Sequence, residues 1–193
     1  KIGGLSTLLK QYIQSQSLMF LHKQPAVQVH IHCASAEELL DQLLHAELDL
    51  IFIDYNLQQH NLISQPIATE TFYLVSRSEN LAALQHNEIP QTLFNCQQSS
   101  QQQTLMLNYL EQQHIHFQRH CQLQCYSHAL EAVQQGLGFS IIPSTHLPEA
   151  RQRELYTITI PELNRTISML WHAHHPSTLL HTFTALFNTE KSP

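Results

Sequence analysis

The chain has 193 residues, 42% of them hydrophobic and 12% charged, with 9 Lys and Arg against 15 Asp and Glu for a formal net charge of -6. Such a composition folds around its own core, and a chain of this length needs neither disulfide nor metal staples to hold one. Few and scattered basic residues argue against a nucleic-acid surface, no apolar run approaches the roughly 20 residues of a membrane span, and Lys1-Ile2-Gly3-Gly4 is no signal peptide.

In chain order, residues 5–20 place Leu8, Leu9, Tyr12, Ile13, Met19 and Phe20 near one helical stripe, with Ser6 and Thr7 as N-cap candidates and Pro25 as the stop. Val27, Val29 and Ile31 alternate as a strand does. Ser35 then caps a helix whose first turn carries Glu37 and Glu38 and whose buried face is Leu39, Leu40, Leu43 and Leu44. Residues 48–53, apolar but for Asp49, read as a strand covered on both faces. After a strand or strand pair over 67–75, the alternation resumes: strand 92–96, helix 105–112, strand 118–125, helix 129–135, and a buried strand 139–142 ended by Pro143. Strands over 158–160 and 166–171 precede a last amphipathic helix over 179–187. Strand-helix alternation throughout means an α/β fold. No Pro/Gly/Ser-rich linker divides the chain, so any two lobes are joined by the strands themselves.

Chemistry-bearing motifs are sparse. The glycines at 3, 4, 136 and 138 do not have the spacing of a phosphate loop, a dinucleotide fingerprint or a nucleophile elbow. Cys33, Cys96, Cys121 and Cys125 are too irregular for a disulfide scaffold and suit a reducing cytoplasm. Of the 15 His, the His30/His32 pair on a strand and the group His172, His174 and His175 are the strongest metal candidates, but no carboxylate stands near them in sequence, so no metal site and no cofactor is expected. Cys125 with His128 is the one close pairing for nucleophilic catalysis, across a strand-to-helix turn that need not make them face each other. The sequence gives no compelling reason to expect an enzyme.

In an alternating α/β sheet, ligands sit beyond the carboxyl ends of the strands, at helix N-termini that offer unpaired N–H groups and a partial positive charge. Hydroxyls recur there: Ser6 and Thr7 after the first strand, Ser35 after the second, the run Cys96, Gln97, Gln98, Ser99 and Ser100, and Tyr126, Ser127 and His128. Each serves as a helix cap, as a ligand contact, or as both.

The ordered motifs carry a resemblance over nearly the whole chain. Gly3-Gly4-Leu5-Ser6-Thr7 precedes a long helix; Phe20 precedes Pro25-Ala26-Val27; the run 39–51 ends in Leu48-Asp49-Leu50; Pro66-Ile67 leads to Leu74-Val75; and Val133 precedes Gly136-Leu137-Gly138, an apolar strand and Pro143. In this order they resemble the effector-binding domain of LysR-type transcriptional regulators. The resemblance implies two Rossmann-like lobes joined by two crossover strands, in the manner of type II periplasmic binding proteins. Lobe I would take residues 1–75 and 155–193, and lobe II residues 76–154. It implies a small effector in the cleft between lobes, contacted by Ser6, Thr7, Ser35, Cys96, Gln97, Ser99, Ser100, Tyr126, Ser127 and His128. It also implies a homodimer through helix 8–20 and helix 129–135, a tetramer for the full-length regulator, and DNA contact only through an N-terminal winged helix-turn-helix that these residues do not include.

No Arg or Lys falls in the effector loops, so a single anionic charge would rely on hydroxyls and helix dipoles, and a neutral polar ligand fits the Gln-rich loop as well. The alternative of a two-lobed solute-binding protein stays open at this stage; it would need a secretion signal, which the chain does not show.

Overall fold

The computed structural model describes residues 1–77, 92–96 and 98–188. The chain divides into two compact units, Lys1–Thr69 with Thr166–Pro193, and Glu70–Arg165.

In the first unit β1 (Ile2–Gly4) lies between β2 (Ile31–Cys33) and β3 (Leu50–Ile53), all parallel, and β8 (Tyr156–His172) joins β3 antiparallel, with Ile51 opposite Leu170. All four residues of β3 are buried, which is why its sequence lacks alternation. The first helical run, α1, comprises Ser6–Leu8, a π-helical segment Leu9–Gln14 and Ser15–Lys23. A π turn holds more residues than an α turn and so rotates the face that follows. Leu8, Ile13 and Phe20 are buried as the stripe predicts, but Gln16 and Ser17 turn inward while Met19, expected inside, is 49% exposed. Ser6 is the first residue of the run and its N-cap is Leu5, so neither Ser6 nor Thr7 occupies the cap. Helix α2 (Ala36–Leu44) buries Leu39 and Leu43, while Leu44 is exposed. Helix α6 (Thr178–Ala185) closes the core, where Phe183 meets Phe20 edge-on at 5.3 Å.

The expected strand from Val27 forms only at Ile31, because β1 is three residues long and its pairing with β2 begins at Ile2 opposite Ile31. Val27 and Val29 pack against the core from outside the ladder.

The second unit has the order β4-β7-β5-β6: β4 (Leu62–Ser76) is antiparallel to β7 (Phe139–Pro143), and β7 and β6 (Arg119–Leu123) flank β5 (Thr92–Cys96) in parallel. Consecutive residues of β7 supply different cores. Ile141 packs with Phe72, Leu93, Met106 and Leu110, and Ile142 packs with Val75, Tyr126, Leu130 and Val133. Side chains alternate across a strand, so the two cores line opposite faces of the sheet. Helix α3 (Ser100–Gln112) supplies the first and α4 (Tyr126–Gln134) the second, each starting earlier than the periodicity predicts. The sequence reading also missed α5 (Leu147–Gln152), although a proline in its first turn is a helix-start signal. Residues 156–172 form one continuous strand where two were expected.

The Gly136-Leu137-Gly138 motif behaves as its residues dictate. Gly136 has φ +78 and ends α4 in a Schellman turn, with Leu137 N–H donating to Ala132 at 3.1 Å and Gly136 N–H to Val133 at 2.9 Å. A Cβ at Gly138 would collide with the carbonyl oxygen of Thr92, so only glycine lets β7 enter beside β5. Among the described residues no helix is long and apolar enough to cross a membrane.

Candidate functional site

Register defines the candidate end of the first unit. Gly4 lies opposite both Cys33 and Phe52, so the chain leaves the three parallel strands at one level, and Ser6, Ser35 and Asp54 each follow two residues later. Ser35 accepts the Glu38 N–H at 3.2 Å, the cap predicted for it. Ser6 is half-buried at the start of α1. Thr7 is 8% exposed, and its Oγ1 has no hydrogen-bond partner among the described residues. Asp54 is 1% exposed. Burial pushes the Tyr55 phenol above its ordinary value, and the carboxylates of Glu37 and Asp54 push it further. The sequence motifs do not single out Asp54 as a site residue; reading a parallel neighbour at the level of Ser6 finds it.

In the second unit Phe94 lies opposite both Cys121 and Ser140, and the corresponding end carries Cys96 and the starts of α3 and α4. Cys96 is buried; desolvation raises its thiol to about 12, the nearby Cys125 adds to this and the Arg165 charge opposes it. Gln97 lies outside the described residues. Gln98 Nε2 donates to the Tyr126 hydroxyl at 3.0 Å. Ser99 Oγ accepts the Gln102 N–H at 3.2 Å as the cap of α3, and Ser100 is exposed on its first turn. Tyr126, Ser127 and His128 were expected in a loop but form the first turn of α4. Tyr126 is 1% exposed with its ring 4.7 Å from that of His146, Ser127 donates to Glu149 Oε2 at 3.0 Å, and His128 is exposed. Burial drives the Tyr126 phenol far above its ordinary value, so it stays a neutral hydrogen-bonding group. Cys125 is the N-cap residue of α4, and its side chain makes no capping hydrogen bond.

Beside these residues stands a network the sequence did not reveal. Phe72 opposite Pro143 in the antiparallel pair brings Glu70 level with Thr145. Thr145 Oγ1 donates to Glu70 Oε1, and Arg165 Nε donates to Glu70 Oε2, both at 2.5 Å. The Arg165 guanidinium lies 5.4 Å from the centroid of the Phe72 ring. Neighbouring Cys96 and Tyr126 both feel the Arg165 charge. Among the described residues no group of three or more His, Cys, Asp or Glu is placed to hold a metal ion. The two strand ends therefore offer hydroxyls, amides, helix N-termini and one neutralised arginine, a set suited to binding.

Comparison with known proteins bears on this arrangement. The family model described as the LysR substrate binding domain matches residues 1–191. A curated relative, the HTH-type transcriptional regulator CzcR of Bacillus subtilis (strain 168), is 24% identical over 98% of this chain, and the chain spans 65% of that relative's length. Among solved structures, the regulatory domain of Synechocystis PCC6803 CcmR in complex with 2-PG superposes with a TM-score of 0.77 at 18% identity, covering 100% of this chain and 97% of that one. Full-length CbnR complexed with its target DNA gives 0.69 at 17% identity, covering 97% of this chain and 69% of that one.

Proposed function

The chain belongs to the LysR substrate-binding domain family, and from that premise we propose that it is the effector-sensing part of a cytoplasmic transcriptional regulator. One observation carries the placement of the effector. The parallel strands of each unit end level with one another, and α1, α2, α3 and α4 begin there with hydroxyl and amide side chains. Of the residues named from the sequence, Thr7 is the one to test first, since its buried hydroxyl has no hydrogen-bond partner among the described residues. Ser6, Ser35, Ser99, Ser100 and the first turn of α4 supply the surrounding polar groups, and Asp54 joins them. Tyr126 and Cys96 act as buried support for that surface.

The role is binding and not catalysis. An effector shifts the regulator only by its differential affinity for two states of the protein. DNA contact is assigned to the part of the regulator outside residues 1–193, in line with the acidic balance of this chain and with the greater length of CzcR. A homodimer through helix 8–20 and helix 129–135 is supported by Leu18 and Met19, exposed at 62% and 49% on the first of these.

The test is thermal unfolding against amino acids, aromatic acids, dicarboxylates and sulfate, repeated with Thr7→Val. A ligand at 100 times its Kd adds about 2.7 kcal/mol. A stabilisation that Thr7→Val removes supports the reading, and one that survives in Thr7→Val places the effector elsewhere.

A further inference from the structure

A cavity lies wholly within the first unit, at the amino end of its strands, where Ile2 stands opposite Leu50. The candidate site described above, beyond Gly4 and Phe52, is at the other end of the same ladder. The outer wall of the cavity is the segment before β2. Because β1 begins at Ile2 opposite Ile31, Val27 and Val29 have no strand to pair with, and they line the cavity as half-buried residues. Phe20, Leu180 and Phe183 complete the apolar wall. The volume is about 170 Å³, and an apolar cavity of roughly 150 Å³ holds a benzene ring.

One end of the cavity is polar. Asp49 Oδ1 accepts from His175 Nε2 at 3.2 Å, and Asp49 Oδ2 accepts from the terminal ammonium of Lys1 at 2.5 Å. His175 Nδ1 accepts the Ser177 N–H at 3.2 Å, so both of its ring nitrogens are engaged and it has nothing left to offer a ligand. Asp49 does. Its side chain is 47% exposed, and a carboxylate has about four acceptor positions, of which these partners use two. Burial pushes the Asp49 carboxyl up, but the hydrogen bond and charge of the Lys1 ammonium, with those of His175, outweigh it and hold the group below its ordinary value as an ionised acceptor. The Lys1 ammonium already balances that carboxylate, so a charged ligand would bring an uncompensated charge into the cavity, and a neutral donor brings none.

We infer that this cavity binds a small neutral aromatic alcohol, with its ring against Phe20, Val29 and Phe183 and its hydroxyl donating to Asp49. The site uses none of the residues assigned to the effector and does not rest on that reading.

NMR titration with phenol, fluorobenzene and benzoate tests this, since the three share a ring and carry in turn a neutral donor, no donor and a negative charge. Saturable binding of phenol is expected, about tenfold tighter than either of the others, because fluorobenzene lacks the hydrogen bond to a charged acceptor and benzoate sets a like charge against Asp49. Asp49→Ala, at a half-exposed position, should bring phenol down to the affinity of fluorobenzene and leave fluorobenzene unchanged. Val29→Trp should fill the cavity and abolish binding of both, with thermal unfolding to show that the variant folds; if it does not fold, the phenol-to-fluorobenzene ratio in Asp49→Ala decides. Phenol binding should be the same in Thr7→Val as in the native chain. No saturable binding of phenol, equal binding of phenol and fluorobenzene, a preference for phenol that survives Asp49→Ala, phenol binding by folded Val29→Trp, or its loss in Thr7→Val would overturn the assignment.

Discussion

Glu70 and Arg165, 95 residues apart in sequence, form a 2.5 Å ion pair in which both side chains are 1% exposed. They are the first and last residues of the second compact unit, so the pair joins the two strands at the points where the chain enters and leaves it. Thr145 holds the other carboxylate oxygen, and Phe72 lies beside the guanidinium. Removing one partner of such a pair leaves a buried charge without its counterion, which costs about 3–5 kcal/mol. Arg165→Met and Glu70→Gln are each expected to destabilise the chain on that scale in urea denaturation. The double variant should lose clearly less than the sum, and a simply additive double variant would show that the two side chains do not depend on each other.

The capping hydroxyls have a smaller and more local effect. Ser35 and Ser99 each accept a backbone N–H three residues on. Ser35→Ala and Ser99→Ala should each cost about 1 kcal/mol, and amide hydrogen exchange should locate the loss in the first turns of α2 and α3. Protection unchanged there would show that the caps contribute little.

The glycine pair gives a graded contrast. Gly136→Ala forces an alanine into the left-handed region and is expected to cost about 1 kcal/mol. Gly138→Ala drives a methyl group into the Thr92 carbonyl, so β7 must separate from β5. Thermal unfolding should rank Gly138→Ala well below Gly136→Ala. The reverse order would mean that the strand entry can relax.

The elements legible in the sequence were those with a local signal. Thr92–Cys96 was bounded correctly from its own residues, and Ser35 was found as a cap because cap chemistry is written in a few adjacent positions. The face of α1 was misread at Met19 because a π segment shifts helical phase and leaves no pattern that an α-helical period can detect. Glu70 and Arg165 were invisible for a different reason: they meet because β4 and β8 are neighbours in the sheet, and strand order is a property of the sheet and not of either strand. The hydroxyls at strand ends were located correctly, and Ser35 caps its helix as expected, but the partner of Ser127 was not foreseen. Whether Ser127 faces a ligand or Glu149 depends on α5, which the sequence reading missed.

Thiol chemistry supplies a test of the second strand end. Desolvation raises Cys96 to about 12, so near neutral pH it stays in the unreactive thiol form. Cys33 is exposed, while Cys121 and Cys125 are half-buried. Alkylation with iodoacetamide read by mass spectrometry should label Cys33 readily and Cys96 last, and denaturant should bring the four rates together. Early labelling of Cys96 in the native protein would place it in an open, electropositive environment and would contradict its buried supporting role.

Thr7 separates stability from sensing. Its hydroxyl is buried with no partner among the described residues, and a buried hydroxyl left unpaired costs about 1–3 kcal/mol. Thr7→Val keeps the branched shape and removes that oxygen. The variant is therefore expected to be as stable as the native chain or more so when no effector is present, as measured by urea denaturation. If the hydroxyl is kept for a ligand, the same variant must lose the thermal shift that the effector produces, because the ligand atom that answered the hydroxyl now meets a methyl group. A structural residue gives the opposite pair of results: loss of stability on substitution, with the ligand response retained by whatever protein still folds.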